Sequence, residues 1–153
     1  MAIDNFRWRA ADPGDSRVIV EMSLALYTED PGLVTVSAAQ VAETLAVFQR
    51  EPWRGLAVVL EVAGVIQGYA LLVPFYSNEV GGTVCEVDEL FVTPPSRGHG
   101  LGSALFSALD EGRFGSFAAI ALGVTPDNDR AKRLYERLGF RVAGTTLLRR
   151  NPT

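Results

Sequence analysis

Apolar and polar residues follow helical or strand spacing along most of the chain. FRWRA at 6–10 alternates as a short strand does, and DPGD at 12–15 ends it. A first helix, ending near Tyr27, is predicted by residues that recur at the spacing of one helix face. These residues are Ile19, Met22, Ser23 and Leu26. A second helix is predicted by the capping box Ser37-x-x-Gln40, followed by an inner stripe of Val41, Thr44, Leu45 and Phe48.

The middle of the chain is rich in β-forming residues. LAVVLEV and VIQGYALLV flank Ala63-Gly64, which predicts a hairpin over 56–73. The segment 55–76 contains Glu61, Gly64, Gln67 and Gly68, so we interpret it as a buried hairpin rather than a membrane span. FYSNEVGG at 75–82 is a predicted turn-rich connection, and TVCEVDELFV at 83–92 is a predicted strand.

The last third of the chain predicts two helices and two strands. One helix follows the loop SRGHG and places Leu101, Ala104, Leu105, Ala108 and Leu109 on one face. The apolar run 117–124 is typical of a central strand covered on both sides. A helix containing Leu134 and Tyr135 should end at Gly139, and RVAGTTLLRR at 141–150 is a predicted final strand. No composition break or repeat divides the chain, so we expect one mixed α/β domain spanning 1–153.

Composition removes several functional classes. The 153 residues include 14 Lys and Arg and 18 Asp and Glu, a net charge of −4 that argues against a nucleic-acid or anionic-membrane partner. Cys85 is the single cysteine and His99 the single histidine, which excludes a disulfide framework and leaves no basis for a zinc or other metal site. The first residues have no secretory pattern, and we expect a soluble cytoplasmic protein.

The loop Arg97–Gly102 carries the strongest chemical signal. Glycines that open a helix turn backbone N–H groups toward an anion, so phosphate or pyrophosphate is the expected ligand. A Walker A loop would need a lysine before Ser103. A dinucleotide fingerprint would need a glycine at that position and an acid after the next strand. The remaining pattern is R-x-x-G-x-G.

This pattern resembles the acyl-CoA pyrophosphate loop of the GNAT N-acetyltransferase superfamily. VDELFVTPPSRGHGLGSAL looks like that family's fourth strand, loop and third helix. The motif N-x-x-A-x-x-L-Y-E-x-L-G-F at 128–140 is similar to its last helix, and YSNEVGG with VDELFV is similar to a bacterial subgroup. The resemblance spans nearly the whole chain and implies an α/β GNAT fold, with a mixed central sheet of about six to seven strands flanked by four helices.

The resemblance implies acetyl-CoA as co-substrate. The loop backbone would cradle the pyrophosphate, the end of the fourth strand would pair with the pantetheine arm, and Asn128 would hold that arm from the other side. His99 occupies the variable position of the loop, and we expect no catalytic role for it. The implied cofactor-binding residues are Leu90, Phe91, Val92, Arg97, Gly98, His99, Gly100, Leu101, Gly102, Ser103 and Asn128.

The implied chemistry is acetyl transfer from a thioester to a primary amine, which must lose a proton before it attacks. Tyr135 matches the family's general acid. Glu86 matches the base of histone-acetylating members, and Asp88 and Glu89 match an acidic pair of polyamine-acetylating members; a water relay stays open. Strand alternation places Glu86 and Asp88 on one face and Glu89 on the other, unless a bulge changes the phase.

The acids favour a cationic acceptor, either a small molecule or a peptide. Residues expected to bind it are Glu89, Tyr27, Glu29 and Glu79. Cys85, in an apolar strand, is expected to be a small core residue. A homodimer is an expectation from the family only. Two alternatives remain: a catalytically silent acyl-CoA-binding regulatory domain, and a nucleotide-binding module of another kind.

Overall fold

The computed structural model describes residues 3–32 and 34–152, which include a mixed five-stranded sheet. The strands lie side by side in chain order, antiparallel except for the last pair, which is parallel. They are β1 (Phe6–Ala10), β2 (Leu56–Val62), β3 (Val65–Ser77), β4 (Gly82–Val92) and β5 (Ala119–Leu122). The predicted hairpin is confirmed, and β3 continues to Ser77, into the segment predicted as a connection.

Four α-helices pack on the sheet, as predicted: α1 (Ser16–Glu29), α2 (Ala38–Arg50), α3 (Leu101–Asp110) and α4 (Asp129–Arg137). The capping box of α2 is confirmed, because the Gln40 backbone N–H donates to Ser37 Oγ at 3.2 Å and the Ser37 N–H donates to Gln40 Oε1 at 2.8 Å. Gly139 has a φ of 88° and ends α4 as predicted.

Two apolar cores lie on opposite faces of the sheet. Helices α1 and α2 cover a core that includes Tyr69, Leu71 and Phe91. Helix α3 covers the other core, which includes Cys85 and Val87, and Tyr135 of α4 packs against it. The buried Trp8 indole N–H donates to the Leu101 carbonyl at 2.8 Å, which ties the first residue of α3 to β1. The start of α3 is therefore fixed relative to the sheet.

The predicted final strand at 141–150 does not form, so the described residues make a sheet of five strands rather than the six to seven predicted. Val142, Leu147 and Leu148 are 94%, 91% and 87% exposed, and Gly144 interrupts the segment with a φ of 81°. A strand persists only where a neighbour satisfies its backbone groups, and no described strand pairs with this segment.

Strand β5 also differs from its prediction. Instead of a long central strand covered on both sides, it is a strand of four residues at the edge of the sheet, and its side chains are only partly buried. Apolar content alone does not separate a central strand from an edge strand whose side chains pack against helices.

Candidate functional site

The glycine loop opens α3 without a side-chain cap. Gly98 and Gly100 have φ values of 80° and 75°, a conformation that other residues adopt only with strain. Gly100 is the N-cap of α3, and no side chain bonds to the first turn. A Cβ added at Gly98, Gly100 or Gly102 would meet no atom within 4 Å. The first N–H groups of α3 therefore face open space, which suits an anion.

Strand β5 ends before β4 does, which leaves the last residues of β4 without a described partner strand on that side. Their pairing stops at Val87 opposite Leu122, whereas β4 continues to Val92. A cleft of about 940 Å³ is lined by the end of β4, the glycine loop, the start of α4 and the end of α1. The predicted site residues that line it are Glu29, Leu90, Phe91, Val92, Arg97, Gly98, Gly100, Leu101, Gly102, Ser103, Asn128 and Tyr135.

The Arg97 side chain binds groups of the protein itself rather than being free to bind an anion. Its guanidinium binds both carboxylate oxygens of Glu29, with Nη2 2.8 Å from Oε2. Its Nε donates to the Val92 carbonyl at 2.7 Å, and the guanidinium lies 5.2 Å from the centre of the Phe91 ring. The hydrogen bond from Arg97 lowers the pKa of Glu29. Glu29 thus ties α1 to the glycine loop, and its role in binding the acceptor stays a prediction.

Asn128 and Asp30 connect the opposite wall to α1. Asn128 caps α4, accepting from the Ala131 N–H at 3.1 Å, while its Nδ2 donates to Asp30 at 3.0 Å. Thr125 Oγ1 donates to the other Asp30 oxygen at 2.6 Å. Asp30 and Thr125 were not predicted to bind each other, because nothing in the sequence places α1 beside the β5–α4 loop.

Tyr135 lies in the cleft wall with its ring fixed by aromatic neighbours. It packs edge-on against Phe106 and Phe140, with ring centres 5.9 and 5.8 Å away. Burial raises the pKa of the Tyr135 hydroxyl, and the charge of Asp30 adds to the effect. The phenol therefore stays protonated at neutral pH and can donate a proton or a hydrogen bond into the cleft.

A bulge in β4 changes the phase of its acids. Leu72 pairs with Val87 and Leu71 with Glu89, so Asp88 is the extra residue. Glu89 contacts α1, and alternation from the oppositely packed Val87 places Glu86 on that same side. For a strand without a bulge, we expected Glu86 and Asp88 on one face and Glu89 on the other. The bulge changes this phase, as the sequence analysis allowed.

The two predicted bases have raised pKa values. Burial raises the pKa of Glu86, and the neighbouring charge of Asp88 raises it further. Desolvation raises the pKa of Asp88, although the residue as a whole is exposed. Neither residue lines the cleft itself. A raised carboxyl pKa brings proton acceptance closer to neutral pH.

Glu89 is held by three hydroxyl groups from two elements. Tyr69 and Ser23 donate to Oε1 at 2.6 and 2.9 Å, and Tyr27 donates to Oε2 at 3.2 Å. Ser23 and Tyr69 were missed as site residues because each occupies a core position of its element. The available signal was a polar group at such a position, which needs a buried partner.

The remaining predicted residues lie elsewhere. His99 is exposed in the glycine loop and does not line the cleft. Glu79 is exposed in the turn between β3 and β4, at the opposite end of β4 from Leu90. Cys85 is fully buried, as predicted, and burial raises its pKa to about 11.

Two kinds of feature are not found in residues 3–32 and 34–152. None of the helices there is long and apolar enough to cross a membrane. No three His, Cys, Asp or Glu residues in that part of the chain are grouped so as to hold a metal ion.

The chain matches a protein-family model over most of its length. The model described as the acetyltransferase (GNAT) family matches residues 23–140, which contain all the walls of the cleft. The chain is also 37% identical over 91 residues to the N-alpha-acetyltransferase 40 of Saccharomyces cerevisiae. That match covers 54% of this chain and 30% of the yeast protein. The chain thus spans less than a third of the length of that relative.

Solved structures share the fold at low identity. A possible acetyltransferase from Clostridium difficile 630 aligns with a TM-score of 0.83 and 16% identity, covering 98% of this chain and 99% of that chain. The aminoglycoside N-acetyltransferase AAC(6')-Iy, solved in complex with CoA, aligns with a TM-score of 0.76 and 18% identity, covering 97% and 96%. Both alignments show the same fold.

Proposed function

Because the chain belongs to the acetyltransferase (GNAT) family, we propose that it transfers an acetyl group from acetyl-CoA to the primary amine of a cationic small molecule or peptide. One observation carries the proposal: an uncapped helix N-terminus, the end of β4 beyond its pairing with β5, and a half-buried tyrosine line a single cleft. These supply an anion site, strand-edge backbone groups and a proton donor, which transfer from a CoA thioester requires.

The glycine loop fits the diphosphate of CoA. The first turn of α3 offers N–H groups with no capping side chain, and the positive end of the helix dipole favours negative charge. The space beside Gly98, Gly100 and Gly102 is open, and a side chain at any of these positions would occupy the space proposed for the diphosphate. We assign the phosphate contacts to the backbone of this loop, because the Arg97 side chain already binds Glu29.

The end of β4 fits the pantetheine arm. From Leu90 to Val92 the strand continues beyond its pairing with β5, so an extended amide chain can add to it as a strand would. Asn128, on the opposite wall, keeps a second amide hydrogen for the same ligand. Bound acetyl-CoA supplies the activated acetyl group, and a backbone N–H at this position would polarise its carbonyl.

Tyr135 is the proposed general acid. The departing thiolate needs a proton, and a phenol kept protonated by burial holds one at neutral pH. Its ring contacts with Phe106 and Phe140 fix its direction without using the hydroxyl. Tyr135 therefore combines a fixed position with an available proton.

Glu86 or Asp88 is the proposed base, acting directly or through water. The raised pKa of each carboxyl makes it a better proton acceptor near neutral pH than an ordinary surface acid. An alkyl ammonium must lose its proton before its lone pair attacks, and a nearby carboxylate favours its approach.

A cationic acceptor agrees with the charges near the cleft. Glu86, Asp88 and Glu89 lie within four consecutive positions on β4, just before the stretch proposed to bind pantetheine. The fold neighbour AAC(6')-Iy is named an aminoglycoside N-acetyltransferase, and an amine-bearing acceptor of that kind agrees with this charge argument. A neutral or anionic acceptor would gain nothing from these carboxylates.

Acetyl-CoA turnover with a panel of amines tests the proposal. Free thiol should appear with cationic amines and not with anionic amino acids, and Glu86→Gln or Asp88→Asn should raise KM for the amine, lower kcat, or both. Added salt should lower kcat/KM less in these variants than in the wild type. CoA binding without thiol release from any amine would indicate the silent regulatory domain instead.

A further inference from the structure

A tight turn before α4 presents two polar side chains to the cleft. The Asn128 backbone N–H donates to the Thr125 carbonyl at 3.1 Å, which closes the turn 125–128. Pro126 occupies its second position, where the fixed φ of proline suits a turn. Thr125 and Asn128 are half-buried, and both line the cleft. One short stretch of backbone therefore sets the positions from which both side chains extend.

Asp30 lies at the end of α1 and accepts a hydrogen bond from each of these side chains. Its own backbone N–H donates to the Leu26 carbonyl at 2.8 Å, which fixes it as the C-cap of the helix. Thr125 Oγ1 donates to Oδ1 of Asp30 at 2.6 Å, and Asn128 Nδ2 donates to Oδ2 at 3.0 Å. A carboxylate has no hydrogen to donate, so it determines the direction of both bonds.

The Asn128 amide is thereby held in one orientation. Its Oδ1 accepts from the Ala131 N–H at 3.1 Å, and its Nδ2 faces the Asp30 carboxylate. A flipped amide would place Oδ1 against that carboxylate and Nδ2 against an N–H group, and both contacts would be repulsive. Asp30 and the start of α4 therefore exclude the flipped orientation.

The hydrogens that Asp30 leaves unused define what this wall of the cleft can bind. The Thr125 hydroxyl gives its single hydrogen to Asp30, so toward a ligand it can only accept. The Asn128 amide keeps one hydrogen, so toward a ligand it can donate. The wall thus offers one acceptor and one donor from the same turn. Amide groups, which have an N–H and a carbonyl, match this pair.

We propose that Thr125 and Asn128 bind amide groups of the pantetheine arm and that Asp30 is the positioning residue that sets which of them accepts and which donates. Thr125 Oγ1 accepts an amide N–H of the arm, and Asn128 Nδ2 donates to an amide carbonyl. The inference rests on the proposed function, because the arm belongs to acetyl-CoA. It adds Thr125 and Asp30 to the residues that hold the arm.

Two ligands separate the pantetheine arm from the rest of CoA. CoA carries the arm, whereas adenosine 3′,5′-bisphosphate carries the nucleotide and lacks it. Calorimetry measures the affinity for CoA, and competition with CoA measures the affinity for the bisphosphate. Asp30→Asn replaces one acceptor oxygen with a donor in a side chain of similar shape. It should weaken CoA binding roughly tenfold and leave the affinity for the bisphosphate unchanged.

Variants of Thr125 test whether its hydroxyl contacts the arm. Thr125→Val removes the hydroxyl and keeps the shape, so CoA binding should weaken roughly three- to tenfold with no effect on the bisphosphate. Thr125→Ser keeps the hydroxyl and should keep the CoA affinity. These variants keep the inference testable if Asp30→Asn does not fold. In turnover, Thr125→Val should raise KM for acetyl-CoA more than it lowers kcat, and leave KM for the amine unchanged.

Asp129→Asn is the matched control for Asp30→Asn. Asp129 is the first residue of α4, its side chain is 74% exposed, and it does not line the cleft. The variant makes the same chemical change beside the same turn, so it should alter the affinity for neither ligand.

Parallel loss of both ligands in Asp30→Asn and Thr125→Val, wild-type CoA affinity in a folded Thr125→Val protein, or CoA binding as weak in Thr125→Ser as in Thr125→Val would each overturn the inference. Failure of the proposed function has a different signature. The expected pattern of CoA affinities, with no thiol release from any amine, would leave the inference standing and reject acetyl transfer. Thiol release without a selective loss of CoA affinity in these variants would do the reverse.

Discussion

Glu86 and Glu89 lie on the same side of the sheet although they are three positions apart, because Asp88 is an extra residue between the paired Val87 and Glu89. One bulge therefore brings two carboxylates to the α1 face and leaves the third at the irregular position. Glu89 accepts hydrogen bonds from three hydroxyl groups, so Glu86 or Asp88 stays the proposed base.

The pH profile of turnover should report the ionisation of the proposed base. The pKa of Glu86 is raised, first by burial and then by Asp88, so the active ionised form is lost as pH falls through that raised value. Asp88→Asn removes the neighbouring charge and should shift the acidic limb of kcat/KM to lower pH. Glu86→Gln should lower kcat roughly a hundredfold or more, as expected for loss of a base.

Rate measurements over a pH series, with Glu43→Gln as the control, check this prediction. Glu43 is exposed on α2 and pairs with Arg50, so its variant should keep the wild-type profile. An acidic limb that stays in place in Asp88→Asn would show that Glu86 is not the group being titrated.

Gly102→Asp should abolish CoA binding while the fold is retained. Gly102 is the second residue of α3, where an acid interacts favourably with the helix dipole and adds about 0.3–1 kcal/mol of stability. The same carboxylate would lie in the proposed phosphate site and repel the ligand. Ala39→Asp places an acid at the second residue of α2 and is the matched control for the helix effect.

Calorimetry with CoA and thermal unfolding separate the two effects. Gly102→Asp should match or slightly exceed the wild-type Tm and lose CoA binding, whereas Ala39→Asp should show the same effect on Tm and keep CoA binding. A folded Gly102→Asp protein with wild-type CoA affinity would reject the glycine loop as the phosphate site.

Tyr135→Phe should lower kcat by roughly ten- to a thousandfold, the range for loss of a general acid, and leave CoA affinity nearly unchanged. The ring stays, so its packing against Phe106 and Phe140 is preserved. Single-turnover rates make the chemical step visible. If they match the wild type, Tyr135 acts only as a packing residue.

Asp15→Asn should destabilise the protein by about 1–3 kcal/mol at neutral pH, because a mostly buried charge pair loses one partner. Asp15 accepts from Arg9 at 2.8 and 3.2 Å, and this bond lowers its pKa. Its contribution to stability is complete above the ordinary carboxyl pKa and is lost as pH falls through the lowered value.

Urea unfolding from neutral to acidic pH measures this contribution. The difference between Asp15→Asn and wild type should shrink toward low pH. Glu21→Gln, which removes an exposed pair with Arg17, should cost less than about 1 kcal/mol at any pH. A constant difference for Asp15→Asn would show that its ionisation is not involved.

The sequence predicts the elements that carry periodic or capping signals. Alternation gives β1 its bounds at 6–10, the capping box marks the start of α2, and Gly139 ends α4. These signals work because each depends on residues close together in the chain. Sequence motifs predicted the glycine loop and Tyr135 as site residues, and the structure brings both to one cleft.

The parts that escaped prediction depend on distant residues. The phase of Glu89 changes through a bulge that the sequence of β4 does not mark, and the three hydroxyls around it come from α1 and β3. Whether 141–150 becomes a strand depends on a neighbouring edge rather than on its apolar residues. Glu29 was predicted to bind the acceptor, and its pairing with Arg97 escaped prediction because the two residues are far apart in the chain.

Glu29 and Asp30 are consecutive residues, yet they bind opposite walls of the cleft, Arg97 on one side and Thr125 with Asn128 on the other. The end of α1 thus bridges the opening, and the distance between the walls depends on a single stretch of backbone. The walls are therefore ordered when the chain folds, and much of the conformational entropy that ordering costs is lost then rather than when a ligand binds. A ligand meets walls already held at their separation, so its affinity is less reduced by ordering of the protein.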